Sequence, residues 1–151
     1  MRFQQTIRKP VTCSGVGLHS GCRVSVTLMP APLDAGIVFI RKDVSGSPKI
    51  QVSIENIRPS LLSTTVGIDG VQVQTIEHLL AAASGLDIDN LLVEIDAPEL
   101  PALDGSAQSF VSLMLEAGIV SQDRRRSYLK VVRPIEVIEG DKRIAIRPAS
   151  K

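Results

Sequence analysis

Two segments of this chain read as helices that are apolar on nearly every side, and no other feature restricts the fold as much. The first opens at Thr75, a good N-cap residue, and has Glu77 in its first turn. It carries Ile76, Leu79, Leu80 and Ala83 at helical spacing and closes where Gly85 supplies a C-terminal cap. Ala81 and Ala82 lie opposite that stripe. The second opens at Ser106 and ends at Gly118, with Phe110, Leu113, Met114 and Ala117 on one stripe and Val111 and Leu115 beside it. A helix that is apolar all round is usually buried on both sides. One side can pack on the chain's own strands, and the other needs a second layer. The expectation is a sandwich with both helices between two sheets, the second sheet lying outside this chain.

The first sheet is legible in the strands around the helices. Arg2 to Ile7 and Val11 to Ser14 read as strands that lead into Gly15-Val16-Gly17-Leu18-His19-Ser20-Gly21, a tight irregular loop. Cys22 to Leu28 alternates strictly, with Val24, Val26 and Leu28 on one face and Arg23, Ser25 and Thr27 on the other. Gly36 to Arg41 reads as a more fully buried strand, and a short strand is expected near Lys49 to Ile54. Thr64 to Ile68 and Val71 to Gln74 form a hairpin across Asp69-Gly70. Asn90 to Asp96 is a strand with a buried run at Leu91-Leu92-Val93.

Residues 1–120 thus form one domain, and polar residues 121–126 read as a linker. Tyr128 to Ile138 and Lys142 to Arg147 form a hairpin across Glu139-Gly140-Asp141. A lone hairpin is marginal in water, so residues 127–151 are expected to open a second, truncated domain. Aromatics make up 3% of the chain, with no Trp and one Tyr. The core must therefore come from Leu, Ile, Val and Ala.

Charge narrows the function. Seventeen basic and sixteen acidic residues leave a net charge of +1, which gives no electrostatic case for nucleic acid or an anionic membrane. The run Arg124-Arg125-Arg126 reads as a solvated linker. Cys13 and Cys22 read as reduced, mostly buried residues of a cytoplasmic protein. No stretch has the zones of a signal peptide, and no apolar run approaches a membrane span.

Two histidines, His19 and His78, are the only imidazoles. His78 falls in the first turn of the first helix. The positive helix end keeps such a ring neutral and able to bind metal. It lies about 200° round the helix from Ile76, away from the domain's own core. A carboxylate beside it, Glu77, suits a general base next to a metal ligand. On spacing alone, the simpler reading is that Glu77 complements the helix dipole and His78 is a satisfied interface residue.

Three segments taken together resemble the UDP-3-O-acyl-N-acetylglucosamine deacetylase family. They are Gly15 to Gly21, Thr75-Ile76-Glu77-His78-Leu79-Leu80-Ala81-Ala82, and Asp89-Asn90 followed by Ala97-Pro98-Glu99-Leu100-Pro101-Ala102-Leu103-Asp104-Gly105-Ser106. Their order and separations match the family's N-terminal domain. The resemblance implies an α+β fold, a mixed or antiparallel sheet with two helices on one face. This is one half of a two-domain β-α-α-β sandwich like domain 2 of ribosomal protein S5.

The resemblance also implies zinc-dependent hydrolysis of the acetamide of a UDP-sugar lipid precursor, giving acetate and UDP-3-O-acyl-glucosamine in lipid A biosynthesis. It makes Glu77 the general base and His78 the first zinc ligand. A further His and an Asp ligand, in a His-Lys-x-x-Asp motif, belong to the second domain and are absent from this chain. Leu18, Leu61 and Leu62 correspond to apolar residues bordering the family's active site. Ser63 stands where some members carry Cys near the metal. His19 and Asp104 match motif positions, His19 bracing the Gly-rich loop and Asp104 tying down the loop before the second helix.

With no membrane span, such an enzyme would meet its substrate at the membrane surface or capture it from there. The chain alone is expected to be inactive and to need the missing C-terminal domain as its partner. Two other readings stand beside this one. One is a non-catalytic half that pairs with a separate second half. The other is an RNA-binding α+β domain, which the near-neutral charge and the lack of aromatic platforms disfavour.

Overall fold

The computed structural model describes residues 2–149. Its centre is a five-stranded mixed sheet in the order β2 (Val11–Val16), β3 (Arg23–Pro30), β9 (Leu91–Ile95), β4 (Ile37–Arg41), β5 (Lys49–Gln51). All neighbours are antiparallel except β4 and β9. The alternation in β3 puts Val24, Val26 and Leu28 inward at no more than 3% exposure. β9 alternates as well, so Leu91, Val93 and Ile95 face the core and Leu92 is half-buried on the other side. The expected run of three buried residues there is thus a period-two strand.

Two helices cover the inner face. α1 spans Glu77–Gly85 and buries Leu79, Ala82 and Ala83. α2 spans Gln108–Ala117 and buries Phe110, Met114 and Ala117. They join Phe39, Ile50, Ile76 and the inward residues of β3 and β9 in one buried cluster. Each fully buried Leu, Ile or Phe contributes about 1.5–3 kcal/mol. The helices' outer side is open, with Ala81 exposed and Leu115 56% exposed. The fold is α+β, with two helices on one face of a mixed sheet.

A small antiparallel sheet, β6 (Ile57–Arg58), β7 (Thr65–Ile68) and β8 (Val71–Val73), precedes α1. Asp69 and Gly70 turn β7 into β8 with φ of 50° and 80°. A two-residue hairpin needs that left-handed pair. Arg41, buried at the end of β4, ties the two sheets together. Its guanidinium donates to both carboxylate oxygens of Asp43, at 2.8 and 2.7 Å, and to the carbonyl of Gln72. Those bonds hold the Asp43 carboxyl below its usual range.

The helix ends differ from the sequence expectation. The N-cap of α1 is Ile76, which offers no side-chain cap; Thr75 sits before it at φ 58°. Its hydroxyl is used elsewhere. Gly85 is the last helical residue rather than a left-handed cap. Asp87 takes the left-handed position instead, at φ 58°. The amides of Asp87 and Ile88 donate to the carbonyls of Ser84 and Ala83, at 3.2 and 2.9 Å. That is a Schellman ending, with Asp87 where glycine is commonest. At α2 the N-cap is Ala107, and Ser106 still accepts from the amide of Gln108 at 3.0 Å.

Residues 121–126, expected as a linker, are for the most part strand. β10 (Ile119–Arg125) pairs antiparallel with β1 (Phe3–Ile7). Its charged residues sit on an exposed ribbon, which is why composition alone resembled a linker. Asn90, 1% exposed, binds this ribbon to the main sheet. Its oxygen accepts from the amide of Gly36 at 2.9 Å, and its nitrogen donates to Gln4 and Gln122 at 2.8 and 2.7 Å. Arg126 adds ion pairs to Asp87 and, at 2.7 Å, to Asp89.

A hairpin is present as β11 (Ile135–Glu139) and β12 (Lys142–Ile146), exposed along its whole length, but its first strand starts at Ile135, so residues 128–134, expected as strand, are irregular. Met1, Ser150 and Lys151 lie outside the described residues. Of the cysteines, Cys13 is half-buried and Cys22 is exposed, so the expectation of a mostly buried pair fails for Cys22. Among the described residues no helix is long and apolar enough to cross a membrane.

Candidate functional site

Of the segments quoted from the sequence, the Gly-rich loop, the approach to α1 and residues 98–102 come together in space, while Asp89 and Asn90 lie at the other end of β9. The stretch Pro98–Ala102 runs between the Gly-rich loop and the approach to α1. On one side Ala102 donates to the carbonyl of Val16 at 2.9 Å, and Gly17 and Pro101 form an antiparallel bridge. On the other, Gln74 donates to Pro98 at 2.9 Å and accepts from Leu100 at 3.1 Å. Within this stretch Glu99 is fully buried at 0% exposure.

Glu99 is the organising residue that the sequence reading did not single out. Its Oε1 accepts from the amide of His19 at 3.0 Å and from the hydroxyl of Thr75 at 2.7 Å. Its Oε2 accepts from the amide of Ser20 at 2.7 Å and shares the His19 amide at 3.1 Å. Burial alone would raise its pKa. The bonds from the Ser20 hydroxyl and amide, His19 and Thr75 outweigh burial and bring it down to about 2. Glu99 is therefore an ionised carboxylate inside the fold. The available signal was an acid flanked by Leu100 and two prolines, where a solvated loop would have been polar throughout.

The glycine in the loop follows from this contact. A side chain at Gly17 would put its Cβ 2.4 Å from Glu99 Oε2 and 2.3 Å from the Ser20 hydroxyl. The loop then closes on itself, with Gly17 donating to Cys22 at 2.9 Å and accepting from Gly21 at 3.1 Å. Leu18 is left 67% exposed, and the side chain of His19 is exposed beside it. The Thr75 hydroxyl that was expected to cap α1 is the same hydroxyl that binds Glu99. Its left-handed backbone costs about 1–3 kcal/mol in a β-branched residue, and the Glu99 bond helps to hold it.

Glu77 and His78 open α1, and both are half-buried. Glu77 is held by the preceding loop, its Oε2 accepting from the amide of Thr64 at 2.9 Å. Ile76 donates to the carbonyl of Thr64 at 3.3 Å, so residue 64 grips the helix start twice. Next to Thr64, Ser63 is half-buried, and its carbonyl accepts from the Ser60 hydroxyl. Leu61 and Leu62 stand out from this loop at 89% and 92% exposure, Leu62 with φ 61°.

Asp104 is an exposed turn residue. It accepts from the Ser106 amide at 3.2 Å and the Ser106 hydroxyl at 3.0 Å, and the hydroxyl bond leads in holding its carboxyl below the usual range. Among the described residues no group of three or more His, Cys, Asp or Glu is arranged to hold a metal ion. The site offers the imidazole of His78 and the anchored Glu77 carboxylate on the helix start, with exposed leucines on the loops that carry Leu18 and Leu61–Leu62.

Comparison with known proteins shows the family of this α+β chain. A family model described as UDP-3-O-acyl N-acetylglycosamine deacetylase matches residues 4–151. The chain belongs to that family. Curated relatives named UDP-3-O-acyl-N-acetylglucosamine deacetylase, from Shewanella oneidensis, Shewanella sp. (strain W3-18-1) and Shewanella baltica (strain OS155), are each 46% identical to it over 149 residues. Those residues make up 98% of this chain and 49% of each relative, so the chain spans about half the length of the curated relatives it matches.

Proposed function

We propose that this chain is the first half of a deacetylase that hydrolyses the acetamide of UDP-3-O-acyl-N-acetylglucosamine in lipid A biosynthesis, in the cytoplasm. The observation that carries the reading is the anchored Glu77 beside His78, two residues after the Thr75 whose hydroxyl shares Glu99 with the Gly-rich loop. In this reading the first domain runs through β10 to residue 126, and the hairpin from 127 onward is the start of the second.

Glu77 is the general base. Thr64 occupies one of its oxygens, and the other takes a proton from the attacking water. The new bond joins water oxygen to the acetyl carbon, the carbon–nitrogen bond breaks, and the proton is delivered to the departing sugar amine. Leu18, Leu61 and Leu62 meet the apolar part of the substrate. Asp104 and His19 keep their loops in shape, and Ser63 lines the approach to Glu77.

His78 would hold zinc as one of its ligands, and the metal would supply polarisation of the acetamide carbonyl. A catalytic zinc needs three protein ligands, and the described residues do not complete that set. The second half is the partner that would supply the rest.

The test joins residues 1–151 to the half of the Shewanella oneidensis relative that this chain does not match. The joined protein should release acetate from the UDP-sugar substrate, and Glu77→Gln should slow it at least 100-fold, the usual scale for a general base. A folded, zinc-loaded joined protein without turnover would refute the assignment. The 151-residue chain by itself should show none.

A further inference from the structure

Glu99 stands outside the chemistry just described, yet among the described residues it is the most completely buried charged group. Four donors converge on it: the amides of His19 and Ser20, the hydroxyl of Thr75, and the hydroxyl of Ser20. Three of them come from the loop that carries Leu18. The fourth comes from the residue two positions before Glu77. A carboxylate suits this arrangement because it only accepts. An amide would turn its own NH2 group toward an N–H donor. Aspartate is one methylene shorter and would not reach both sides.

We propose that Glu99 is a positioning residue of the site. Its carboxylate holds the Leu18–Ser20 loop against Thr75, so the apolar contact at Leu18 is fixed relative to Glu77 and His78. The inference rests on the deacetylase reading for the roles of those three residues. The clamp itself stands on geometry. Gly17 has no space for a side chain because the loop is pressed onto Glu99. Thr75 keeps an unfavourable backbone conformation with its hydroxyl spent on Glu99 rather than on capping α1.

Two measurements test it. In the 151-residue chain, Glu99→Gln should raise amide hydrogen exchange at His19 and Ser20 at least tenfold while β3 and β9 keep their protection, the signature of a local release. In the joined enzyme the same substitution should raise KM about tenfold and leave kcat within about threefold, as expected when charge-assisted bonds that orient a substrate contact are lost. A merely structural role would lower the active fraction, so apparent kcat would fall with KM unchanged.

Unaltered exchange at His19 and Ser20, or that kcat-only loss, overturns the proposal. If Glu99→Gln does not fold, Ser20→Ala removes one hydroxyl donor from an exposed loop. It should raise KM about threefold, and no change in KM overturns the proposal. If the unsubstituted joined protein is inactive, the deacetylase reading fails, and the exchange measurement decides the clamp separately.

Discussion

β3 and the β11–β12 hairpin carry the same period-two pattern and meet opposite fates. In β3, Val24, Val26 and Leu28 are at most 3% exposed. In the hairpin, Ile135 faces Ile146 and Val137 faces Ile144 across one face, and all four are at least 53% exposed. Alternation selects a face; only a second layer turns that face into a core. β3 has α1 and α2 against it. The hairpin has cross-strand pairs and the Glu136–Arg143 ion pair, which on an exposed surface contribute little.

Phe39→Ala, at a position with 0% exposure, should cost about 3–5 kcal/mol in a denaturant melt. A loss below 1 kcal/mol would mean the inner face is not the core described.

A smaller effect should come from acid. The pKa of Glu99 in the fold is about 2, below its ordinary 4.5. Its stabilisation is therefore complete above pH 4.5 and is lost as pH falls from there through 2, by roughly 2–3 kcal/mol. Melts between pH 5 and 2 should show this slope for the native chain and a flatter one for Glu99→Gln. Equal slopes would remove Glu99 from the account.

The smallest change belongs to the hairpin. Ile144→Ala should shift stability by no more than about 0.5 kcal/mol. A core-sized loss would show that the hairpin's aliphatic face is covered.

The same contrast explains what the sequence disclosed. Patterns that local geometry imposes were legible: the alternation in β3, the Asp69-Gly70 turn, and the end of α2 at Gly118. Features decided by distant partners were not. Thr75 has the composition of a cap, and its hydroxyl goes instead to a carboxylate 24 residues away. Gly85 looks like a helix stop, yet the left-handed residue is Asp87, which Arg2 and Arg126 also grip. β10 has the composition of a linker because a ribbon strand keeps its charges outward. Glu77 and His78 were legible as neighbours on a helix start. Glu99 was not singled out, since two of its donors are backbone amides that a sequence does not display and all of them lie far from it along the chain.

The pairing of β1 with β10 has a consequence for connectivity. Phe3 stands opposite Arg125, and the amide of Arg126 donates to the carbonyl of Arg2 at 3.0 Å. The body formed by residues 2–126 thus enters and leaves at one point, so its backbone is almost a closed ring. A short bridge from 126 to 2, with fresh termini cut at the exposed Ser45–Gly46 turn, would permute the order of the strands and keep every register. Whatever follows residue 126 hangs from this body as a pendant, attached at the seam where the ring meets itself.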